Sequence, residues 1–388
     1  MVKVLKNIML VFPFLLFVLL FVSCTENVTP PDSMRLNLHV TVVDTTDFTV
    51  RLTGKNQVDD ARVFISSVTF YNYFEAWTDT SGLASFEKIL PDQYNVSVTK
   101  RIIQIIDGVK IERVLNGQLT NIDISGGDSE ITVFVGPTSP GTLIFSEIYY
   151  NGSPPVPPNR LPQYYHDQFT EIYNNSADTL YLDGKIICDV EYGYIDDDYT
   201  HSVHANQFPG TGKDYPILPG EMKIIAQDAI DHTQFVPVSV DLSNADFEYF
   251  VDSDVDNPSV TNMVQIHHKY GYDVLYSVMN CAIILLEVKD PYAYGYDNYN
   301  CIKFPKSAIL DGVDYRDNLQ EVEYKRLDPS IDAGLTGGFP MYSHKSIHRQ
   351  IDYIDNGRIV LMDNNNSTID FQVLNFPTPG YFFDEAVK

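Results

Sequence analysis

From Arg35 to Val43 the chain alternates strictly, with Leu36, Leu38, Val40 and Val42 apolar and Arg35, Asn37, His39 and Thr41 polar. A period of two turns one set toward a core and the other toward water, and predicts a half-buried β-strand. The same pattern predicts strands over Phe48–Leu52, Ala61–Val68, Ala84–Phe86, Tyr94–Thr99 and Ile131–Val135. Turn-forming runs such as Asp79-Thr80-Ser81-Gly82 and Pro91-Asp92 lie between them, a spacing that predicts a β-sandwich over 35–135. Gly136-Pro137-Thr138-Ser139-Pro140-Gly141 neither continues a central strand nor forms a helix, so a linker is expected at 136–142 and a second domain at 143–388.

One stretch breaks the β pattern. Lys3 and Lys6 precede an apolar run from Ile8 to Val22 that only Pro13 interrupts. This is the basic-then-apolar order of a secretory signal, and it is short for a membrane span of roughly 20 residues. The following Phe21-Val22-Ser23-Cys24 resembles the lipobox of bacterial lipoproteins, which implies cleavage of residues 1–23 and acylation of Cys24. Residues 24–34 are polar and carry Pro30 and Pro31, as a tether would.

Composition changes the list of partners. The 52 acidic residues exceed the 26 basic ones and give a net charge of -26, a field that repels phosphate backbones and argues against nucleic acid. The 26 Tyr and 22 Phe argue for a folded chain rather than an acidic tail. Cys188, Cys281 and Cys301 are too few and too irregularly spaced for a disulfide framework, although one bridge, Cys281 to Cys301, is compatible with an oxidising compartment.

Candidate chemistry is sparse. Asp252, Asp254 and Asp256 stand two apart and suit a hard cation such as calcium. Asn257 and Met263 occupy the places where an EF-hand needs Gly and Glu, so a solvated acidic loop is the competing reading. His201 with His204, and His344 with His348, would share a face if each pair lay on a helical turn; His232, His267 and His268 add to the pattern. Neither pair has the Glu of a helical zinc motif. Glu147 and Glu171 read as structural anchors for loops. No nucleophile elbow, phosphate loop or Cys/His dyad is present, so no enzymatic activity is expected. Tyrosines cluster at 149–150, 164–165, 192–194, 270–272 and 292–299, and suit ligand or protein recognition as well as strands.

Three resemblances extend this reading. Ala61-Arg62-Val63, Thr78-Asp79-Thr80-Ser81-Gly82-Leu83-Ala84-Ser85-Phe86 and Leu90-Pro91-Asp92-Gln93-Tyr94-Asn95-Val96-Ser97-Val98 resemble the carboxypeptidase regulatory-like (transthyretin-like) domain, a seven-stranded sandwich. Leu143–Gly152, Asp167–Ser176, Leu218-Pro219-Gly220-Glu221, Ile309–Tyr315 and Pro377-Thr378-Pro379-Gly380 resemble, in order, the immunoglobulin-like lamin-tail domain. The second domain is longer than that module, and the excess is expected as loop excursions at 190–212, 230–280 and 338–375. Ala229-Ile230-Asp231-His232, Asp241–Glu248 and Asp363–Phe371 are similar to segments of a lipoprotein family from Bacteroides-type bacteria.

Together these readings predict an all-β chain of two tandem β-sandwiches, transthyretin-like and then lamin-tail-like. They imply a lipid-anchored protein of the bacterial cell envelope, at the outer membrane, without a cofactor unless calcium binds. Its expected role is to bind an extracellular ligand or a partner protein, and analogy with other such lipoproteins suggests an accessory to a TonB-dependent importer. The alternative is a structural spacer or adhesion component with no small ligand.

Overall fold

Alternation along the chain yields the first ladder of strands. The computed structural model describes residues 35–382 apart from 68, 70–72, 107–108, 139–140, 155–162, 192–197, 252–255, 272, 275, 329 and 356. Its first seven strands are β1 (Leu36–Asp44), β2 (Arg62–Ser67), β3 (Tyr73–Trp77), β4 (Leu83–Ile89), β5 (Gln93–Ile106), β6 (Val109–Asp123) and β7 (Ser129–Thr138). They are hydrogen-bonded in the order β3-β2-β5-β6-β7-β1-β4. The first part of β7 runs parallel to β1, whereas Gly136 to Thr138 pairs with β6. The two halves of the ladder thereby share one core, with Leu38, Val40 and Val42 meeting Val63, Ile65, Val96 and Val98. Gly117 sits at this crossing, where a Cβ would land on the Phe134 carbonyl oxygen.

Phe48–Leu52, expected as a strand, lies instead in a helix over Asp47–Thr53. Thr46 caps it by accepting from the Phe48 N–H, and the buried Asp44 carboxylate accepts from the Thr46 and Thr49 N–H groups. Gly54 closes it at φ 75. Caps at both ends outweigh the apolar alternation, and Val50 and Leu52 are 42% and 43% exposed. Strands β3 and β6 were not evident from alternation, and β7 continues three residues into the expected linker.

Beyond the linker, β8 (Leu143–Tyr149) and β9 (Phe169–Asn174) are buried at every residue. They stand within a seven-stranded sheet completed by Met222–Ala226, Phe247–Glu248 and Thr261–Asn262 on one side and Ser346–Arg349 and Phe371–Leu374 on the other. A six-stranded sheet is centred on Lys185–Val190 and Asn280–Glu287. Phe145, Ile148, Ile172 and Ile225 of the first sheet pack on Ile187, Ile283, Leu285, Val313 and Tyr315 of the second. The far face of the six-stranded sheet is covered as well, by Ile302, Phe304 and Leu327. Both central strands are therefore apolar on both faces.

Short strands within the expected excursions join these sheets. His204–Gln207 joins the six-stranded sheet, Phe247–Glu248 and Thr261–Asn262 extend the seven-stranded one, and Ser346–Arg349 pairs with β8 itself. The chain described here is almost entirely β, in several sheets.

Candidate functional site

Polar positions of the first ladder point away from its core, and on β2 Arg62, Phe64 and Ser66 alternate with buried Val63 and Ile65. Register aligns such residues across strands. Glu75, Phe64, Ser97 and Gln118 form one row over β3, β2, β5 and β6, and Ser66 with Asn95 belongs to the next. In an isolated sandwich this face would meet water. Here Leu319, Val322, Leu335 and Thr368 pass above it, and the two surfaces enclose a cavity of about 440 Å³. That volume lies in the range of small-molecule sites, which favour such junctions.

The roof is held from below and from behind. Asp332 accepts from the N–H groups of Gly334, Ser367 and Asp314, and Lys325 donates to the Gly334 carbonyl. Thr368 Oγ1 accepts from Leu335 N at 2.9 Å and donates back to its carbonyl at 3.0 Å. Gly334 has no room for a side chain, because a Cβ there would land on Asn366 Oδ1 and on the backbone nitrogens of Ser367 and Thr368.

The Asn-rich loop 363–370 joins roof to ladder. Asn366 Nδ2 donates to Thr99 Oγ1 at 2.9 Å, and Asn116 Nδ2 donates to the carbonyls of Asn364 and Asn365. Asp363 accepts from Gly141 N and from Arg349. Arg101 adds an ion pair with Asp352. These contacts occupy one end of the polar face and leave the row around Ser97 facing the cavity.

Within the cavity Asn95 is the most informative residue. It is buried, and its Oδ1 accepts from Asn121 N at 2.9 Å, which fixes the orientation of the amide. Its Nδ2 then faces no hydrogen-bond acceptor among the described residues. A buried donor left this way costs about 1–3 kcal/mol. Arg62 and Glu75 neutralise each other at 2.6 Å, and the bond from Arg62 holds the Glu75 carboxyl below its ordinary range. A second cavity of about 470 Å³ is walled by Arg101, Asp352, Asp355 and Asp363. Its charges are already committed to ion pairs with one another, with Arg358 or with Arg349.

The residues singled out from sequence lie elsewhere. Cys24, Asp252 and Asp254 fall outside the described residues. Asp256 is exposed and accepts from Asn262 Nδ2 at 2.7 Å. No group of three or more His, Cys, Asp or Glu among the described residues is arranged to hold a metal ion. The histidine pairs do not share helical turns: His201, His204 and His348 lie on strands, and His344 takes a positive φ of 60 in the irregular segment before Ser346–Arg349. His204 bonds Asp189 and the Tyr270 carbonyl, and His201 bonds Asp297. Cys188, Cys281 and Cys301 are buried thiols, so Cys281 and Cys301 are not bridged.

One polar cluster contains Ser, His and Asp. Asp167 Oδ2 accepts from Tyr149, Ser153 and Ser239, while His344 Nδ1 lies 3.2 Å from Ser153 Oγ. A nucleophilic relay needs the acid on the histidine. Here the acid is bonded to the serine, and Ser153 is fully buried. Nearby, His232 points Nε2 at the Asp228 carbonyl and receives Tyr164 OH at Nδ1. Burial holds this ring neutral, with its pKa lowered to about 4.

Comparison with known proteins adds a family and a fold. Residues 218–378, which include the whole roof and the Asn-rich loop, match the family described as protein of unknown function DUF4876. The crystal structure of a DUF4876 family protein from Bacteroides thetaiotaomicron VPI-5482 aligns with TM-score 0.55 at 24% identity, over 87% of this chain and 94% of that one. A candidate carbohydrate-binding protein from Pseudomonas aeruginosa aligns over 26% of this chain and 88% of that one, at 13% identity and TM-score 0.20. The major pilin SpaD of Corynebacterium diphtheriae covers 45% of this chain, with 48% of its own length, at 11% identity and TM-score 0.17. Likenesses this loose carry no argument. No curated protein matches the chain. By its family-model match and by a fold shared over most of its length, the chain is similar to the DUF4876 proteins.

Proposed function

We propose that the chain is a lipid-anchored envelope protein that binds an extracellular ligand in the cavity between its two β-sandwiches. In this reading 35–135 is a carboxypeptidase regulatory-like sandwich and 143–388 an expanded lamin-tail-like one, with acylated Cys24 tethering both to the outer membrane. The carrying observation is a cavity of about 440 Å³ that lies over the polar row of Ser66, Ser97 and Gln118 and is roofed by a separate part of the chain. Binding at such a junction gives an accessory protein something to present to a partner, for which an outer-membrane importer is the proposed candidate.

The test is a thermal-shift screen of the full chain against a broad panel of neutral and charged small molecules. A true ligand at 100 times its Kd stabilises by about 2.7 kcal/mol. Ser97→Phe, which places a ring in the cavity from a half-buried position, should abolish that shift. A ligand whose shift survives Ser97→Phe binds elsewhere and refutes the site. A panel with no ligand at all favours the spacer or adhesion role.

A further inference from the structure

We infer that His204 and His268 form a pH-gated clasp on the bend Lys269–Gly271, closed near neutral pH and loosened on either side of it. The two histidines are register partners on adjacent strands, His204–Gln207 and Val264–His268, and the second of these is the outer strand of the six-stranded sheet. Their ring centroids lie 4.9 Å apart. Directly opposed side chains meet in any antiparallel pair. What distinguishes this one is the partner of each ring nitrogen.

His204 is buried, with Nδ1 2.7 Å from Asp189 Oδ2 and Nε2 3.2 Å from the Tyr270 carbonyl. A carbonyl oxygen only accepts, so Nε2 carries a proton. Asp189 Oδ1 accepts from the Val203 and His204 N–H groups, which favours the carboxylate and leaves the proton facing Oδ2 on the ring. His204 is therefore an imidazolium. His268 is held in the opposite state: Nε2 donates to the Gly271 carbonyl at 3.2 Å, and Nδ1 is buried and faces no partner among the described residues. A second proton on this ring would bury an N–H without an acceptor and set two cations side by side. One arm of the clasp thus needs its charge and the other its neutrality, and they end on the carbonyls of consecutive residues.

The neighbouring charges are few. Glu191 joins Asp189 in favouring the charge on His204. Asp189 and Asp273 act in the same sense on His268, and His204 opposes them. His267 directs Nε2 to the Asn300 carbonyl, and Lys269 lies over the Tyr270 ring with its ammonium 3.4 Å from Cys301 Sγ. Burial works against the charge of His204, but the bond to Asp189 outweighs it and raises the pKa; burial, together with the charge of His204, lowers that of His268. The two rings respond to pH with opposite signs. The raised histidine contributes fully below its unfolded value of about 6.5 and is lost as pH rises through its folded value, whereas the lowered one contributes above about 6.5 and is lost as pH falls. The hold on the bend is therefore greatest near pH ~6.5 and weakens in both directions. Its release would free Tyr270, which is 55% exposed at the sheet edge.

The experiment follows hydrogen–deuterium exchange of the full chain in detergent by mass spectrometry between about pH 4 and pH 9. Exchange at the histidine C2 positions gives the midpoint of each ring, and amide exchange, corrected for its intrinsic pH dependence, gives the protection of 269–271. His204 should titrate above about 6.5 and His268 below it, and protection of the bend should pass through a maximum. His204→Gln removes the charge and keeps a donor, so it should raise the His268 midpoint by about half a unit or more. The midpoints of the unaltered chain decide the question even if that variant folds poorly. Both rings titrating at the ordinary histidine value, an unmoved His268 in a folded His204→Gln chain, or protection that changes in one direction only would overturn the clasp.

Discussion

Glu147 and Glu171 face each other across β8 and β9, both wholly buried. Glu147 accepts from Ser346 and from both the N–H and hydroxyl of Thr378; Glu171 accepts from Ser146 and from Gly380 N. They are the anchors that the sequence suggested, and what they anchor is the Thr378–Gly380 end of the described chain. Burial pushes Glu147 up to about 7, and burial with the charge of Glu147 pushes Glu171 up to about 8. A carboxyl whose native pKa is raised stabilises fully below its unfolded value of about 4.5, and this contribution is lost as pH rises through 7 to 8. Equilibrium denaturation should therefore show stability falling by roughly a few kcal/mol between pH 5 and pH 9, and Glu171→Gln should flatten that slope. Arg349 is a second buried anchor, bonded to Asp311 and Asp363 and 3.5 Å from Asp370. Arg349→Met leaves three buried carboxyls uncompensated and should cost about 3–5 kcal/mol by the same measurement. Nothing in the spacing of positions 311, 349, 363 and 370 announces this cluster, because three separate segments, at 311, 349 and 363–370, meet only in the folded chain.

The helix at Asp47–Thr53 shows how local sequence can mislead an element assignment. Phe48, Val50 and Leu52 keep a period of two, yet the decisive residues are Asp44, Thr46 and Gly54 outside the run. Asp44→Ala removes three hydrogen bonds and should lower stability by about 1–3 kcal/mol, with faster proteolytic cleavage at Arg51 as its local sign. β1, β2, β4 and β7 were legible because one face of each is buried and the other is not. β6 was not, since its Asn116-Gly117-Gln118 stretch reads as a turn; Gly117 is there for close approach to β7 and Asn116 for the Asn-rich loop. At the roof, Gly334→Ala should displace the 363–370 loop. The measurable result is a lower melting temperature together with weaker ligand binding, whereas Gly54→Ala at the exposed end of the helix should affect melting only.

Across the whole molecule, the two parts are joined by polar groups rather than by a continuous apolar core, since each keeps its own cluster of buried side chains. The amide contacts at Thr99 and Asn116 and the Arg101–Asp352 pair should therefore set how cooperatively the parts unfold. Calorimetry of Asn116→Ala combined with Asn366→Ala should split a single transition into two, with the first ladder and the second part melting separately. The proposed lipid anchor is tested at the same scale: Cys24→Ser should move the protein out of the membrane fraction and abolish labelling by a fatty-acid probe. Sequence reading reached the all-β class and singled out Asp363–Phe371, but it could not assign that segment a task. The cavity was invisible to it, because its floor comes from residues 62–118 and its roof from 319–368.

The long separations closed by these contacts impose an order in time. Thr99 meets Asn366 across 267 residues, and Glu147 meets Thr378 across 231. Contacts so distant form late, because the entropy of closing such loops opposes them until most of the chain has been arranged. A chain synthesised N-terminus first can complete the first ladder early, since that core is drawn from residues 36–135. β8 must wait for Ser346–Arg349, and the cavity must wait longer still for Thr368. Competence to bind would then arrive last, and a chain stalled or cut before residue 363 would keep a folded leading part that cannot yet recognise anything.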